Sequence, residues 1–496
     1  MNKFNFKIKQ KRQAPSQDEV DKQGNWIVLL PFPTDKSKRD KFPYINILIN
    51  RRGQLQKKTA DSDPVVTNLP NEAGSRVAYA CIDPNISAFE LLTLARKLVA
   101  VFKNANDSTL SVYVSAAPPS QKERLAEAII AAAATSSAQM PSFKTGSNED
   151  KKISVLNLYG VMKNGGFRRT LAEAEGNGLC RRLSMMPSNR LTPADYLKQV
   201  KSLARENNWK LEFLGIDWLK KKKAGAFLAV TQASPIQDAG IIRLRYMPSG
   251  RAINKSLALV GKGICFDTGG TNLKPAKYMF GMHEDMQGSA VALGTFLALT
   301  RMKVKYPVDC WLALATNHIG PKAYKPNDVV IAADGTSIEI VHTDAEGRMV
   351  LSDTLFFASQ KKPDLIIDYA TLTGACVYSV GTAYSGIFTN KEKYIPKLVK
   401  AGQDSGERVW PFPMDEDYLK PLQSEIADIK QCALEGNTDH ILAAKFLQRF
   451  VKHDVPWIHI DLASSNNKGG LAHIPTDTTG FGIRYTLKLL IDSKII

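Results

Sequence analysis

At 496 residues the chain is too long for one ordinary core, so two domains, or one large one with an attachment, are expected. Its 44% hydrophobic and 23% charged residues are the balance of a soluble globular protein. The 66 Lys and Arg against 48 Asp and Glu leave a formal charge of +18, which admits an anionic partner such as nucleic acid through counterion release, but the excess is spread along the chain and excludes little. The densest basic run, Lys220 to Lys223, falls on a short predicted helix, where a solvated face is the ordinary meaning.

The start, M-N-K-F-N-F-K-I-K-Q-K-R, has no apolar stretch of the signal-peptide kind, and its alternation of Phe4, Phe6 and Ile8 with Lys7 and Lys9 reads as a first strand. Apolar runs at Trp26 to Leu30, Tyr44 to Ile49, Arg76 to Cys81 and Leu110 to Val114 predict further strands, and Ala88 to Lys103 and Gln121 to Ala134 predict helices. Ala134 to Asp150 has the composition of a loop, and Ile153 to Tyr159 of one more strand. This region has no histidine and its acids are dispersed, so residues 1–165 read as a small N-terminal α/β domain for assembly or regulation. A helix from Phe167 to about Met186 makes 166–187 a linker, ended by Pro187, Asn189 and Pro193. Thr192-Pro193-Ala194-Asp195 then supplies a capping hydroxyl, a proline at the first helical position and an acid in the first turn, with Leu197, Val200, Leu203 and Ala204 as the buried stripe of a helix to Asn207.

From there strands near Leu211, Phe227, Ile241, Leu257, Trp311, Ile338, Leu365 and Ile458 alternate with helices near Met286, Leu351, Ile395 and Ala443. Ser256 to Gly261 and Asp364 to Asp368 are apolar without alternation, the mark of strands covered on both faces. Residues 188–496 are therefore read as a larger C-terminal α/β domain with a mainly parallel central sheet covered by helices on both faces. In such sheets sites form beyond the carboxyl ends of the strands. No apolar run reaches the roughly 18 residues of a membrane helix, and six scattered cysteines without CxxC spacing argue for a reduced, cytoplasmic setting.

One stretch concentrates charge beside apolar structure: Val341 to Asp353, V-H-T-D-A-E-G-R-M-V-L-S-D. It reads as a strand-to-helix junction in which Asp344 and Glu346, as i and i+2 of an extended segment, point to one side. Two convergent acids suggest a cation site or an acid/base pair; a solvated acidic turn with Arg348 paired to a carboxylate is the alternative. Upstream, L-V-G-K-G-I-C-F-D-T-G-G-T-N-L-K-P (259–275) brings Lys262 and Asp267 off a strand end before Gly269-Gly270 and Lys274. A phosphate loop is the rival reading, but GxxxxGK[ST] is absent. M-H-E-D-M-Q-G-S-A then opens a helix with Asp285 at its start, and Gly288, Ser289 and Ala290 allow close approach to the sheet. Four carboxylates at strand ends and helix starts repel one another unless they protonate or hold cations, and two divalent ions are the economical solution.

These three segments, G-K-G-x-x-F-D-T-G-G-x-N-L-K-P, E-D-M-x-G-S-A and T-D-A-E-G-R, resemble the leucyl aminopeptidases, dinuclear metallopeptidases of the cytosol. The resemblance continues through Ala370 to Ala375 and Trp457 to Asp461, covers roughly residues 165 to 490, and is weak before that. It implies two divalent ions (Mn2+, Zn2+ or Mg2+), with Asp267 and Glu346 bridging them, Lys262 and Asp285 completing one shell, and Asp344 the other. Lys262 then ligates as a neutral amine with a lowered pKa. The resemblance also implies that Lys274 stays charged to polarise the scissile carbonyl, and that Arg348 holds a bicarbonate ion as general base, an anion recruited where a carboxylate side chain is lacking. It implies peptide substrates with free N-termini, a leucine-like but broad preference set by Met282, Thr371, Leu372, Gly374 and Ala463, and a homohexamer in the cytoplasm. A DNA-binding role, additional or main, is the second reading. Departures from the family pattern are His342 and Met185, each where asparagine is usual, and Leu462-Ala463-Ser464 in place of I-A-G; they put side-chain preference in doubt and leave the ligand positions intact.

Overall fold

The computed structural model describes residues 4–31, 40–55, 63–103, 107–115, 118–146, 152–250, 253–435 and 437–496. They form two compact units: Met1–Glu175 with Gln403–Gly406 and Lys468–Asp477, and Gly176–Gly402 with Glu407–Asn467 and Thr478–Ile496. The helix Arg168–Ser184 contributes residues to both.

The first unit is built on six strands, β1 (Lys7–Lys11), β2 (Asn25–Pro31), β3 (Val65–Asn68), β4 (Arg76–Ile82), β5 (Thr109–Val114) and β6 (Val155–Tyr159), in the order β1-β6-β5-β2-β4-β3. Only β3 runs antiparallel to its neighbour. Along β2, Ile27 and Leu29 enter one apolar cluster while Trp26, Val28 and Leu30 enter another, so both faces of the sheet are covered and the strand reads as an unbroken apolar run. The helix Ala88–Ala100 starts where Ser87 and Glu90 form a capping box, and buries Leu91, Leu94, Ala95 and Leu98 at helical spacing. The expected strand from Tyr44 to Ile49 is instead the start of a helix, Ile45–Gln54. Its buried residues, Ile45, Leu48 and Arg52, recur at i, i+3 and i+7; an apolar run as short as Tyr44 to Ile49 fits either period. The loop expected from Ala134 begins only after the helix Pro119–Ser136 ends, and its residues 147–150 lie outside the described residues, as do Met1 to Lys3 of the expected first strand.

The second unit holds β7 (Lys210–Gly215), β8 (Gly240–Tyr246), β9 (Leu257–Asp267), β10 (Val308–Asn317), β11 (Val329–Ile331), β12 (Ser337–Glu339), β13 (Leu365–Ala370), β14 (Ser385–Thr389), β15 (Val409–Pro411), β16 (Ile429–Lys430) and β17 (Trp457–Asp461). Eight of them make one sheet in the order β15-β14-β17-β13-β9-β10-β8-β7, while β11-β12-β16 form a small second sheet. The centre of the large sheet, β17-β13-β9-β10, is parallel throughout. Two helices clasp β9 from opposite faces. Gln287–Arg301 lies so close to Gly261 that a Cβ there would come 2.5 Å from Gly288 O, whereas Glu346–Ser359 lies over the neighbouring Lys262, whose side chain points the other way. A Cβ on Gly288 would in turn sit 2.2 Å from Tyr369 O, which explains the run of small residues that opens this helix. The strand expected near Phe227 is a helix, Gly225–Thr231, burying Ala226, Phe227, Ala229 and Val230. Among the described residues no helix is long and apolar enough to cross a membrane, and all six cysteines are free and buried.

Candidate active site

Strands β9 and β10 end together at Asp267 and Asn317, β13 ends one residue past its Tyr369–Gly261 pairing with β9, and the polar residues gather there. β9 delivers Lys262 and Asp267. Beyond it Gly269 and Gly270 take φ of +87° and +68°, which only glycine adopts without strain, and the Gly269 N–H donates to Asp267 Oδ1 at 2.8 Å. The turn returns Lys274 to the site, with Nζ 3.0 Å from Asp267 Oδ2 and 2.5 Å from Asp344 Oδ1. Asp285 comes from the short turn before the helix Gln287–Arg301, and Glu346 is the first residue of the helix Glu346–Ser359. Asp344 and Glu346 do converge, but not through strand alternation: Ala345 has φ −102° and ψ 35° and its N–H donates to His342 O, so the link is a turn feeding the helix. Gly347 gives the helix its close approach, since a Cβ there would strike Lys262 Cε at 2.6 Å.

The cluster is buried and crowded. Lys262 Nζ lies 2.8 Å from Asp285 Oδ1, 3.0 Å from Glu346 Oε1 and 2.9 Å from Thr371 O. Asp267, Asp344 and Glu346 each offer an oxygen within 4.8 Å of the other two. At that spacing each like-charge pair costs at least about 3 kcal/mol at an effective dielectric near 20. Burial followed by the charges of Glu346 and Asp267 pushes Asp344 up to about 7, and burial followed by Asp267 raises Glu346. Burial alone would lower the Lys262 amine, but Asp285, Glu346 and Asp267 outweigh it and hold the amine raised, the reverse of the shift a neutral ligand needs. Meanwhile Asp285 Oδ2 and Glu346 Oε2 are buried with no donor among the described residues. Carboxylates that repel, two orphaned oxygens, and an amine held charged only by their excess are what divalent cations would relieve, so the residues fit a metal centre.

Residues that the sequence reading did not single out complete the site. Asn317, fully buried at the end of β10, donates to Asp267 Oδ1 at 2.8 Å and to Thr343 O at 3.1 Å. Asp461, at the end of β17, accepts from Leu372 N, Thr373 N and Thr373 Oγ1 at 3.2, 3.4 and 2.7 Å. It thereby fixes the loop in which Thr371 Oγ1 donates to Asp285 Oδ1. A polar residue closing an otherwise apolar strand, as in W-L-A-L-A-T-N and W-I-H-I-D, is the signal that marks both. Of the substrate-pocket candidates, Thr371, Leu372 and Gly374 lie on that loop and the helix Gly374–Val380, which packs against the turn Ala463–Ser465, and Met282 opens the turn before Asp285. His342 donates its N–H to Gln431 Oε1 and accepts the Asp344 N–H at Nδ1, and burial followed by Lys274 lowers its pKa. Met185 lies just past the helix Arg168–Ser184.

Arg348 is almost wholly buried, and its guanidinium is engaged: NH1 donates to Gln431 O at 3.2 Å and NH2 to Asp439 Oδ2 at 2.6 Å. Arg348 therefore is no partner of Asp344 or Glu346. The premise that no side-chain carboxylate stands beside it is corrected by Asp439, while Arg348 Nε is buried without a hydrogen-bond partner among the described residues.

A parallel α/β sheet with a buried carboxylate and lysine cluster at its strand ends has the build of a metal-dependent hydrolase. Residues 178–487 match the cytosol aminopeptidase family, catalytic domain. Among relatives, a probable cytosol aminopeptidase of Polaromonas sp. is 33% identical over 454 residues, 90% of this chain and 87% of the relative, and a cytosol aminopeptidase of Rickettsia prowazekii is 35% identical over 356 residues, 70% and 71% of the two chains. Among solved structures, a tomato leucine aminopeptidase mutant superposes with a TM-score of 0.85 at 26% identity, covering 98% of this chain and 96% of that one. The bottromycin maturation enzyme BotP in complex with Mn gives 0.82 at 26% identity, covering 95% and 100%. The chain belongs to the cytosol aminopeptidase family, and it is a metallopeptidase of the aminopeptidase class.

Proposed function

We propose that the enzyme releases N-terminal residues, with a broad, leucine-like preference, from unblocked peptides, using two divalent ions held by Lys262, Asp267, Asp285, Asp344 and Glu346. The observation that carries this reading is the buried convergence of those five side chains with two donorless carboxylate oxygens. Bound ions of this kind activate water at neutral pH and polarise a carbonyl oxygen. The chain's own residues do the rest. Asn317 and the Gly269 N–H hold Asp267, and Thr371 holds Asp285, which orients these carboxylates in the donor set. Lys274, paired with Asp267 and Asp344, is the cation placed to stabilise negative charge developing on the scissile carbonyl oxygen. Arg348 acts by holding an anion near the first turn of the helix that carries Glu346.

Met282, Thr371, Leu372, Gly374 and Ala463 form the pocket for the first side chain, with methionine supplying the adaptability a broad preference needs. Manganese is favoured by the likeness to the Mn complex of BotP, with zinc as the alternative. The relatives' names support a cytosolic setting, and a homohexamer whose N-terminal unit, residues 1–165 in the sequence division, serves assembly is part of the same proposal. One test covers the chemistry: metal content measured together with hydrolysis of a panel of amino-acid anilides. Chelator-sensitive cleavage led by leucine and restored by Mn2+ or Zn2+ is expected; a folded, metal-replete protein inert on the whole panel overturns the reading.

A further inference from the structure

We propose that Thr343 and Asn272 are the positioning residues of Lys274, an uncharged clamp that keeps its ammonium in the site once divalent ions take up the carboxylates it pairs with. The inference rests on the metal-dependent aminopeptidase reading, and it starts from a conflict. Lys274 Nζ is held by Asp267 Oδ2 at 3.0 Å and Asp344 Oδ1 at 2.5 Å, and both acids belong to the donor set. Ions bound there would satisfy the same carboxylates and repel the ammonium, so ion pairing alone would release the lysine just when its charge is needed. A position that survives metal loading needs holding by groups that carry no charge. The loop 268–274 has them.

Thr343 is wholly buried, directly precedes Asp344, and spends each of its polar groups on tying two segments together. Its N–H donates to Asn272 Oδ1 at 2.9 Å, and its hydroxyl accepts the Asn272 N–H at 2.8 Å while donating to Gly269 O at 2.6 Å. This reciprocal pair docks the loop, two residues before Lys274, onto the residue before Asp344, so the lysine and the carboxylate share one reference point. The Thr343 carbonyl is anchored in turn, accepting from Tyr324 OH at 2.8 Å and from Asn317 Nδ2 at 3.1 Å. Gly270 lets the loop close on this peg: its φ is +68°, and a Cβ there would come 3.0 Å from Thr343 Oγ1. At its far end the loop is closed by the Lys274 N–H, which donates to Thr268 O at 2.9 Å, while Thr268 Oγ1 donates to Asn317 O at 2.9 Å. None of these bonds uses a carboxylate, so charge taken up at Asp267 or Asp344 does not compete for the partners of the clamp.

The test compares wild type with Thr343→Val, Thr343→Ser and Asn272→Ala, alone and combined with Lys274→Met, each loaded with Mn2+ and checked for metal content and fold. Valine keeps the shape of threonine without its hydroxyl, and should lower kcat on leucine anilide roughly 30-fold with KM within about twofold of wild type. Serine restores the hydroxyl and should recover at least about tenfold of that loss. Asn272→Ala, at a half-buried loop position, should fall about as far as the valine variant. On the Lys274→Met background either change should cost less than about twofold more, because both act through one lysine. A second arm reads the lysine itself: the metal-loaded proteins are treated with acetic anhydride, and Lys274 modification is followed by mass spectrometry of the digest. Lys274 should react at least about fivefold faster in Thr343→Val and Asn272→Ala than in wild type, with the exposed Lys220 unchanged as the internal standard. Folded, metal-replete variants with wild-type kcat and wild-type Lys274 reactivity overturn the proposal. So does a loss of kcat that is undiminished on the Lys274→Met background, or a lowered melting temperature with Lys274 reactivity unchanged. A wild type inert on all anilides fails the aminopeptidase reading instead, and the labelling arm still decides whether the clamp holds Lys274.

Discussion

The two large sheets of this molecule share a construction and differ in what their strand ends carry. In the first unit β2, β4, β5 and β6 run parallel and finish in Pro31, Ile82, Val114 and Tyr159, the last three buried in the apolar clusters of the core. In the second, β9, β10 and β17 finish in Asp267, Asn317 and Asp461, and β13 leads into Thr371. A parallel sheet thus provides a crevice in either case, but chemistry arises only where polar groups are buried there and each is given a donor or an opposing charge. The sharpest way to break this contrast is to remove the carboxylate at the centre of the second unit. Glu346→Gln should lower kcat/KM on leucine anilide by at least about 10³-fold and reduce bound metal, both read on the same preparation. Unchanged activity would strip the strand ends of their assigned role.

A smaller effect is expected one layer out. Asp461 accepts its hydrogen bonds from Leu372 N, Thr373 N and Thr373 Oγ1, three donors of the loop that presents Thr371 to Lys262 and Asp285. Asp461→Ala should cost about 10- to 100-fold in kcat/KM together with weaker metal retention under chelator titration. A fold-only role would lower the melting temperature and leave metal retention alone. Beside it lies the buried pair His459–Asp368, Nδ1 to Oδ1 2.7 Å, with Trp457 Nε1 donating to the other Asp368 oxygen. Burial lowers the His459 imidazole, but Asp368 outweighs it and the folded value is raised. A raised value means that the stabilisation is complete below the unfolded pKa, about 6.5, and is lost as pH rises through the folded one. The melting temperature of wild type should therefore decline with pH above that point, and His459→Phe should flatten this part of the profile.

How far these features can be read before folding depends on sequence distance. Lys262, Asp267, Lys274, Asp285, Asp344 and Glu346 lie in three compact segments, each bounded by an apolar strand or a small-residue helix start, so the chemistry is concentrated where the pattern is strongest. The Asp439 partnership is different: 91 positions separate it from Arg348, and an acid at the start of a helix is ordinary by itself. Asp461 likewise meets its loop across 88 and 89 positions. Parallel neighbours such as β17 and β13 bring such residues together, and no local period announces it. The same limit explains the two misassigned elements. Around Phe227 and Ile47 the apolar runs are short, and which period is realised is decided by the surface they cover; Gly225, for instance, packs so tightly on Ile331 O that a Cβ would come within 2.2 Å.

The smallest effect on chemistry should come from the first unit, and it is the most discriminating. Ile129 is buried in the helix Pro119–Ser136 among Leu125, Ala126, Ile130 and the inward residues of the neighbouring strands. Ile129→Ala deletes buried apolar volume and should cost about 2–5 kcal/mol of that unit's stability, read as an earlier unfolding transition in calorimetry. Among the described residues, the ion pairs of the cluster at Lys262, Asp267, Asp285, Asp344 and Glu346 are all made within the second unit. Below the onset of that transition, kcat on leucine anilide should stay within about twofold of wild type, since surface and core changes far from a site act nearly independently. A fall in kcat at a temperature where the variant is still folded would show that the first sheet, for all its apolar strand ends, governs the geometry of the second.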